Sequence, residues 1–304
     1  MKHTTSIQGG CYTAIATPFR NDEIDFESLG RLVTHQIDGG VAGLVPCGTT
    51  GESPTLTDAE HEEVVRFVLK ETKNRCSVWV GTGSNNTAKV VYLTKKAREM
   101  GATGALVVTP YYNKPTQEGL FRHYEAIAKA VPGFPIMLYE IPGRTCVSLD
   151  VETCARIAEK CSNVVAIKEA SGSPSARRRF ANYRASRSFS GDDALTLPIL
   201  SLGGIGVVSV VSNVVPAEIA AIVAAAARGD FAKANEINDR LEPIMRALFL
   251  ETNPTPVKYA LAKVGIISGH EVRLPLVPPS ERTRKEIDAA LEKCGDVARA
   301  TRGA

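Results

Sequence analysis

Val164-Val165-Ala166-Ile167-Lys168-Glu169-Ala170-Ser171-Gly172 runs four apolar residues, three of them β-branched, into a lysine and then into a small polar turn. Such a run predicts a strand buried on both faces, with an amine at its end. In a parallel α/β protein the carboxyl ends of the strands are where ligands bind. A lysine held there against an apolar wall is desolvated, which favours the neutral amine that attacks carbonyl carbon. Taken alone, the stretch equally fits a lysine that snorkels from a strand end into solvent. The choice falls to the rest of the chain.

Seven further apolar runs share this character: Thr13–Ala16, Gly43–Pro46, Ser77–Val80, Ala105–Val108, Ile136–Tyr139, Ser188–Ser190 and Val207–Val210. With Val164–Lys168 they make eight, most of them roughly thirty residues apart and each followed by a helical pattern. Strand–helix alternation implies parallel pairing, and eight units are the count of a (β/α)8 barrel. A doubly wound open sheet is the alternative, but Gly81-Thr82-Gly83-Ser84-Asn85-Asn86 lacks the third glycine of a dinucleotide loop. Thr57-Asp58-Ala59-Glu60 is a capping box that opens a helix reaching Lys73. Asn86-Thr87 opens another, which Met100-Gly101 ends, and Leu149-Asp150 opens a third. After Gly229 the alternation stops. Residues 1–229 are expected to form the barrel, and residues 230–304 a helical extension with helices at Phe231–Leu250, Pro256–Val264 and Ser280–Lys293.

Composition narrows the function classes. The 304 residues are 44% hydrophobic and 23% charged, as in a globular protein that buries a core. The net charge of +3 is slight, and the Arg177-Arg178-Arg179 run has no interleaved aromatics, so a solvated helix face is expected there and no nucleic-acid partner. Seven cysteines form no Cys-x-x-Cys pair, and the five histidines are scattered, so free thiols and no metal are expected. The polar N-terminus and the shortness of the apolar stretch Ile219–Ala227 point to a cytoplasmic chain with no membrane span.

Four loops at predicted strand ends carry candidate chemistry. Gly48-Thr49-Thr50-Gly51-Glu52-Ser53 offers two hydroxyls and a backbone free to approach a small carboxylate. Thr109-Pro110-Tyr111-Tyr112 puts two phenols after the fourth strand, available for proton relay or for packing at an interface. Tyr139-Glu140-Ile141-Pro142-Gly143-Arg144 closes the fifth strand with an arginine able to grip a carboxylate in two-pronged fashion. Ser190-Gly191-Asp192-Asp193 and Gly203-Gly204-Ile205-Gly206 flank the last helix–strand connection; a tight turn is favoured there over a phosphate site.

In order and separation these stretches resemble the dihydrodipicolinate synthase and N-acetylneuraminate lyase family of pyruvate-handling class I aldolases, from Tyr12-Thr13 through Val208 and into the helical tail. The resemblance implies a Schiff base between Lys168 and pyruvate, with Tyr139 as proton donor and acceptor. Thr49 and Tyr112 would complete a relay, Tyr112 reaching in from a neighbouring subunit of a homotetramer. Thr50 would hold the pyruvate carboxylate, and Val208 and Gly191 would line the substrate site. No cofactor is implied beyond the lysine imine. Ile-Pro-Gly-Arg resembles the synthase branch, in which Arg144 would bind the carboxylate of aspartate semialdehyde on the diaminopimelate route to lysine. A sugar-acid aldolase or dehydratase of the same fold is the alternative, and a non-catalytic small-acid sensor a more distant one. Glu140 stands where the family often has asparagine, and is expected to point away from an anionic substrate. Ser53, His61, Asn85 and Tyr111 match an allosteric lysine pocket of the family. Asp58 and Lys89 depart from it, placing a cation where the effector's ammonium needs an acceptor, so lysine inhibition is expected to be weak or absent.

Overall fold

Eight parallel strands, most of them separated by helices among the described residues, lie between Gly10 and Ser209 in the computed structural model, which describes residues 7–172 and 187–294. They are β1 (Gly10–Thr13), β2 (Gly43–Leu44), β3 (Ser77–Gly81), β4 (Gly104–Val108), β5 (Ile136–Glu140), β6 (Val164–Glu169), β7 (Ser188–Ser190) and β8 (Gly206–Ser209). Each pairs with its neighbours in sequence, and β1 closes on β8 with Gly10 opposite Gly206 and Tyr12 opposite Val208. The sheet is a closed (β/α)8 barrel, and the open doubly wound alternative is excluded. A small antiparallel hairpin, Phe19–Arg20 with Glu23–Ile24, sits between β1 and the first helix.

The strand predictions shift at both ends of the sheet. The first strand begins three residues before the apolar run Thr13–Ala16, because Cys11 and Tyr12 pair with Val207 and Val208. Ala14, Ile15 and Ala16 continue it as an irregular segment whose amides bond to Ser209, Val45 and the Asn213 side chain. The last strand likewise begins at Gly206 and stops at Ser209, one residue early. The Arg177–Arg179 run lies outside the described residues.

Two apolar layers hold the barrel. Tyr12, Val45, Trp79, Leu106, Met137, Ala166, Phe189 and Val208 fill its interior, with the Tyr12 and Phe189 rings edge to face at 5.2 Å. Residues of the alternate strand face, among them Leu44, Val78, Val80, Ala105, Val107 and Ile167, pack under the helices. The helix Asp58–Thr72 starts on the expected capping box: Thr57 Oγ1 accepts from the Glu60 amide at 3.2 Å, and the Glu60 carboxylate accepts from the Thr57 amide at 2.8 Å. The helix Thr87–Glu99 is capped by Asn86, and Gly101 adopts φ +90° just past its end.

One irregularity sets which way the lysine faces. Ile136 pairs with Val164 but Met137 pairs with Ala166, so Val165 is an extra residue in β6. Beyond it Tyr139 stands opposite Lys168 and Glu140 opposite Glu169. Without the extra residue Ile167 would take the place beside Tyr139, and the lysine would turn to the outer face.

After Asp230 come the helices Phe231–Ala247, Thr255–Lys263 and Glu281–Lys293, the last capped by Ser280 as expected. A buried ion pair latches them to the barrel. Lys258 Nζ donates to Glu52 Oε1 at 2.6 Å and to the Thr17 carbonyl at 2.8 Å, and the Arg273 amide donates to Glu52 Oε2. Removing one partner of such a pair strands a buried charge, a loss of about 3–5 kcal/mol. Burial pushes the Lys258 ammonium down, and the Glu52 carboxylate beside it opposes that.

Candidate active site

A cavity of about 50 Å³ opens at the carboxyl ends of the strands, where β2, β5, β6 and β7 deliver the loops singled out in the sequence. Lys168 is 4% exposed there, with Nζ 4.2 Å from the centre of the Tyr139 ring. Both side chains face inward because they are paired across β5 and β6. Thr49 and Thr50, in the loop after β2, line the same cavity, as do Arg144, Gly191 and the apolar Ala14, Val45, Leu106 and Ile141. Arg144 rides on the short helical turn Pro142–Thr145, which the proline starts immediately after β5.

Gly191 works by what it lacks. A Cβ there would come within 2.9 Å of Lys168 Cε and 2.7 Å of Ala170 Cβ, so the absent side chain leaves room for the lysine stem. Next to it, Asp193 is buried and tethers the end of β8. Its carboxylate accepts from the Ser209 hydroxyl and from the Val210 and Val211 amides, at 2.9 and 3.2 Å for the amides. Burial raises the Asp193 carboxyl, and those three donors hold it back. The glycines at 203 and 204 close a tight turn, with Gly203 at φ +86° and the Gly204 amide bonded to the Ile199 carbonyl.

Not every expected residue reaches the cavity. Val208 is fully buried in the barrel interior below it, and Val210 lines the wall instead. The strand ends at Ser209, and just beyond it Val210, its amide held by Asp193, lines the cavity. Tyr112 is 87% exposed, with φ +73°, and does not line the cavity of its own chain. Glu140 is buried and turns outward, where its carboxylate accepts from the Leu149 amide at 3.2 Å.

Two lining residues had no signal in the local sequence: Phe249 and Asn253, both from the helical extension. Asn253 Nδ2 donates to Thr50 Oγ1 at 3.0 Å, and the Asn253 carbonyl accepts from Arg144 Nη2 at 3.0 Å. Asn253 lies some two hundred residues beyond the Thr50 it touches, a distance no motif spans.

The expected regulatory positions lie outside this cavity. His61 is buried, its Nε2 within 2.8 Å of the Gly81 carbonyl, and burial pushes its pKa down. Lys89 and Asp58 pair with each other at 3.0 Å. The Asn85 carbonyl accepts from Asn113 Nδ2, and Ser53 and Tyr111 are half-buried. A larger groove of about 790 Å³ opens at the amino end of the barrel between Gly10, Arg187 and the alanines of the helix Pro216–Ala227. It is roomier than the cavity at Lys168 but lies at the end of a barrel that serves stability rather than chemistry. Among the described residues no group of three histidine, cysteine or carboxylate side chains is placed to hold a metal, and no helix is long and apolar enough to cross a membrane.

The fold and the site together define a lyase-type (β/α)8 enzyme working at the carboxyl ends of its strands. Over residues 8–294 the sequence matches the Dihydrodipicolinate synthetase family, and the chain belongs to that family. It is 50% identical over 289 residues to the 4-hydroxy-tetrahydrodipicolinate synthase of Syntrophus aciditrophicus, an alignment covering 94% of this chain and 98% of the relative. The 4-hydroxy-tetrahydrodipicolinate synthase structure from Methylacidiphilum fumariolicum superposes with a TM-score of 0.93 at 44% identity, covering 97% of this chain and 98% of that one. The dihydrodipicolinate synthase structure from Thermotoga maritima gives 0.92 at 45% identity, covering 95% and 99%.

Proposed function

We propose that the chain condenses pyruvate with L-aspartate 4-semialdehyde, the 4-hydroxy-tetrahydrodipicolinate synthase reaction, through an imine on Lys168. The observation that carries this is the pairing of β5 and β6, which sets Lys168 and Tyr139 side by side, buried and facing one cavity. Lys168 Nζ adds to C2 of pyruvate, and loss of water leaves the iminium. The positive nitrogen makes the C3 hydrogens acidic, and the Tyr139 oxygen moves that proton. The resulting enamine carbon attacks the aldehyde carbon of the second substrate, whose oxygen takes a proton to become a hydroxyl. The amino group of that substrate then adds to C2 and expels the lysine amine, closing the ring. One water leaves over the cycle, and the lysine is restored.

Thr50 holds the pyruvate carboxylate and Arg144 the carboxylate of the aldehyde, with Gly191 and Val210 lining the substrate wall and Val208 packed in the barrel interior beneath it. Thr49 continues the proton relay from Tyr139 to Tyr112, whose exposure on one chain suits a phenol contributed to a neighbouring copy in a cytoplasmic homotetramer. The amine needs no further cofactor. The domain division at residues 229 and 230 puts the nucleophile in the barrel and a wall of its cavity in the extension.

Borohydride reduction in the presence of pyruvate tests the chemistry. Mass spectrometry is expected to find one reduced pyruvate adduct per chain, on Lys168, and none in Lys168→Ala. An unmodified wild-type chain would overturn the imine. An adduct that couples sugar aldehydes but not aspartate semialdehyde would make the protein a sugar-acid aldolase. Sedimentation of the same sample reports the assembly, and a monomer would remove the shared relay.

A further inference from the structure

We propose that Asn253 determines which aldehyde is accepted: its side-chain oxygen takes a hydrogen bond from the ammonium group of the amino-acid aldehyde. This deepens the function proposed above and rests on it. Asn253 lines the cavity, is 6% exposed, and its Oδ1 is buried with no hydrogen-bond partner among the described residues. A buried acceptor left unpaired carries a desolvation cost, which a ligand donor at that point removes.

The remaining polar side chains of the lining are Arg144, Lys168 and the hydroxyls of Thr49, Thr50 and Tyr139, and the Thr50 oxygen already accepts from Asn253 Nδ2. Among the described residues no carboxylate lines the cavity. The second substrate nevertheless carries a cation on the carbon that bears its carboxylate. The acceptor for that cation must therefore lie beside the group that grips the carboxylate. Asn253 meets this requirement, because its own backbone carbonyl anchors the Arg144 guanidinium at 3.0 Å.

The amide is oriented by its other end. Nδ2 donates to Thr50 Oγ1, which leaves the threonine's hydrogen available to the pyruvate carboxylate and leaves Oδ1 as the unpaired end of the amide. A neutral acceptor also suits the ring closure. A carboxylate would hold the amino group as ammonium, whereas a neutral amide binds it while opposing far less the proton loss that precedes attack on C2.

The test compares aspartate semialdehyde with succinate semialdehyde, the same aldehyde lacking the amino group. In wild-type protein succinate semialdehyde, used as a competitor, is expected to have an inhibition constant above the KM for aspartate semialdehyde by about ten-fold, the range of one buried bond to a charged group. In Asn253→Ala that ratio collapses toward one, while the borohydride-trapped pyruvate adduct still forms. Loss of the Thr50 contact alone changes the pyruvate KM but moves both aldehydes equally. A ratio unchanged in Asn253→Ala overturns the proposal even when overall rates fall. Should Asn253→Ala not fold, Asn253→Asp keeps an acceptor in place and is expected to hold or raise the ratio; a fall there overturns it too. Failure of adduct formation in the wild-type chain would instead strike the imine chemistry itself.

Discussion

Arg144 is the residue whose replacement is expected to separate the two proposed half-reactions. It lines the same cavity as Lys168 and Tyr139 and is steadied by the Asn253 carbonyl. Arg144→Ala is expected to retain the reducible pyruvate adduct while coupling with aspartate semialdehyde falls about 10- to 100-fold, the worth of one charge-assisted pair. Equal loss of both half-reactions would mean that the arginine holds the cavity together rather than the second substrate. At this scale the sequence was informative wherever a polar residue followed an apolar run: Lys168, Tyr139, Thr49, Thr50, Arg144 and Gly191 all line one cavity. Val208 was two positions off, because alternation along β8 says nothing of where the chain leaves the strand. Asn253 carried no mark, since an isolated asparagine before a proline looks like any helix-start turn.

Among elements, the helix Asp58–Thr72 joins the barrel to the extension through its capping glutamate. Arg273 donates from Nη2 to Glu60 Oε1 at 2.6 Å and from Nη1 to Oε2 at 3.0 Å. Those bonds hold the Glu60 carboxyl down at about 2, against an ordinary 4.5. A depressed carboxylate contributes stability that is present above about pH 4.5 and lost as pH falls through about 2. Over that window the wild-type unfolding midpoint should therefore drop more steeply than that of Glu60→Gln, by a difference on the order of a few degrees. Glutamine keeps the capping box, so the comparison isolates the charge. Parallel curves would show that the ion pair adds nothing. The capping box itself was plain in the sequence, as were the helix starts at Asn86 and Ser280, because each is fixed by neighbours three residues apart. The extra residue Val165 was not, since a bulge depends on the partner strand and the β6 run is apolar in either register.

For the molecule as a whole, the expected indifference to lysine rests on a surface pair. Lys89 and Asp58 pair at 3.0 Å on adjoining helices, so the Asp58 carboxylate is already engaged with a cation and is not free to take an effector's ammonium. Lysine at millimolar concentration is expected to leave turnover nearly unchanged; an inhibition constant well below a millimolar would contradict this. The barrel was legible as a whole because its period repeats eight times, so single misplaced strand ends did not disturb the count. The extension was legible as helices but not as part of the site. Its hold on the barrel, through Lys258 and Glu52, joins residues whose meeting no local pattern announces.

The seam between Gly10 and Gly206 has a consequence for a chain still being made. A Cβ at Gly206 would collide with the Gly10 carbonyl oxygen, so the first and last strands close on bare backbone. The strand that completes the circle leaves the ribosome nearly two hundred residues after the one it must join, about 10–40 s at ordinary rates of synthesis. Throughout that interval β1 waits with one edge unpaired, and the growing polypeptide has no enclosed pocket for its reactive amine. Asn253 emerges later still. Lys168 is thus made before the pocket that encloses it is complete, and a chain cut short before residue 253 would lack one wall of that pocket.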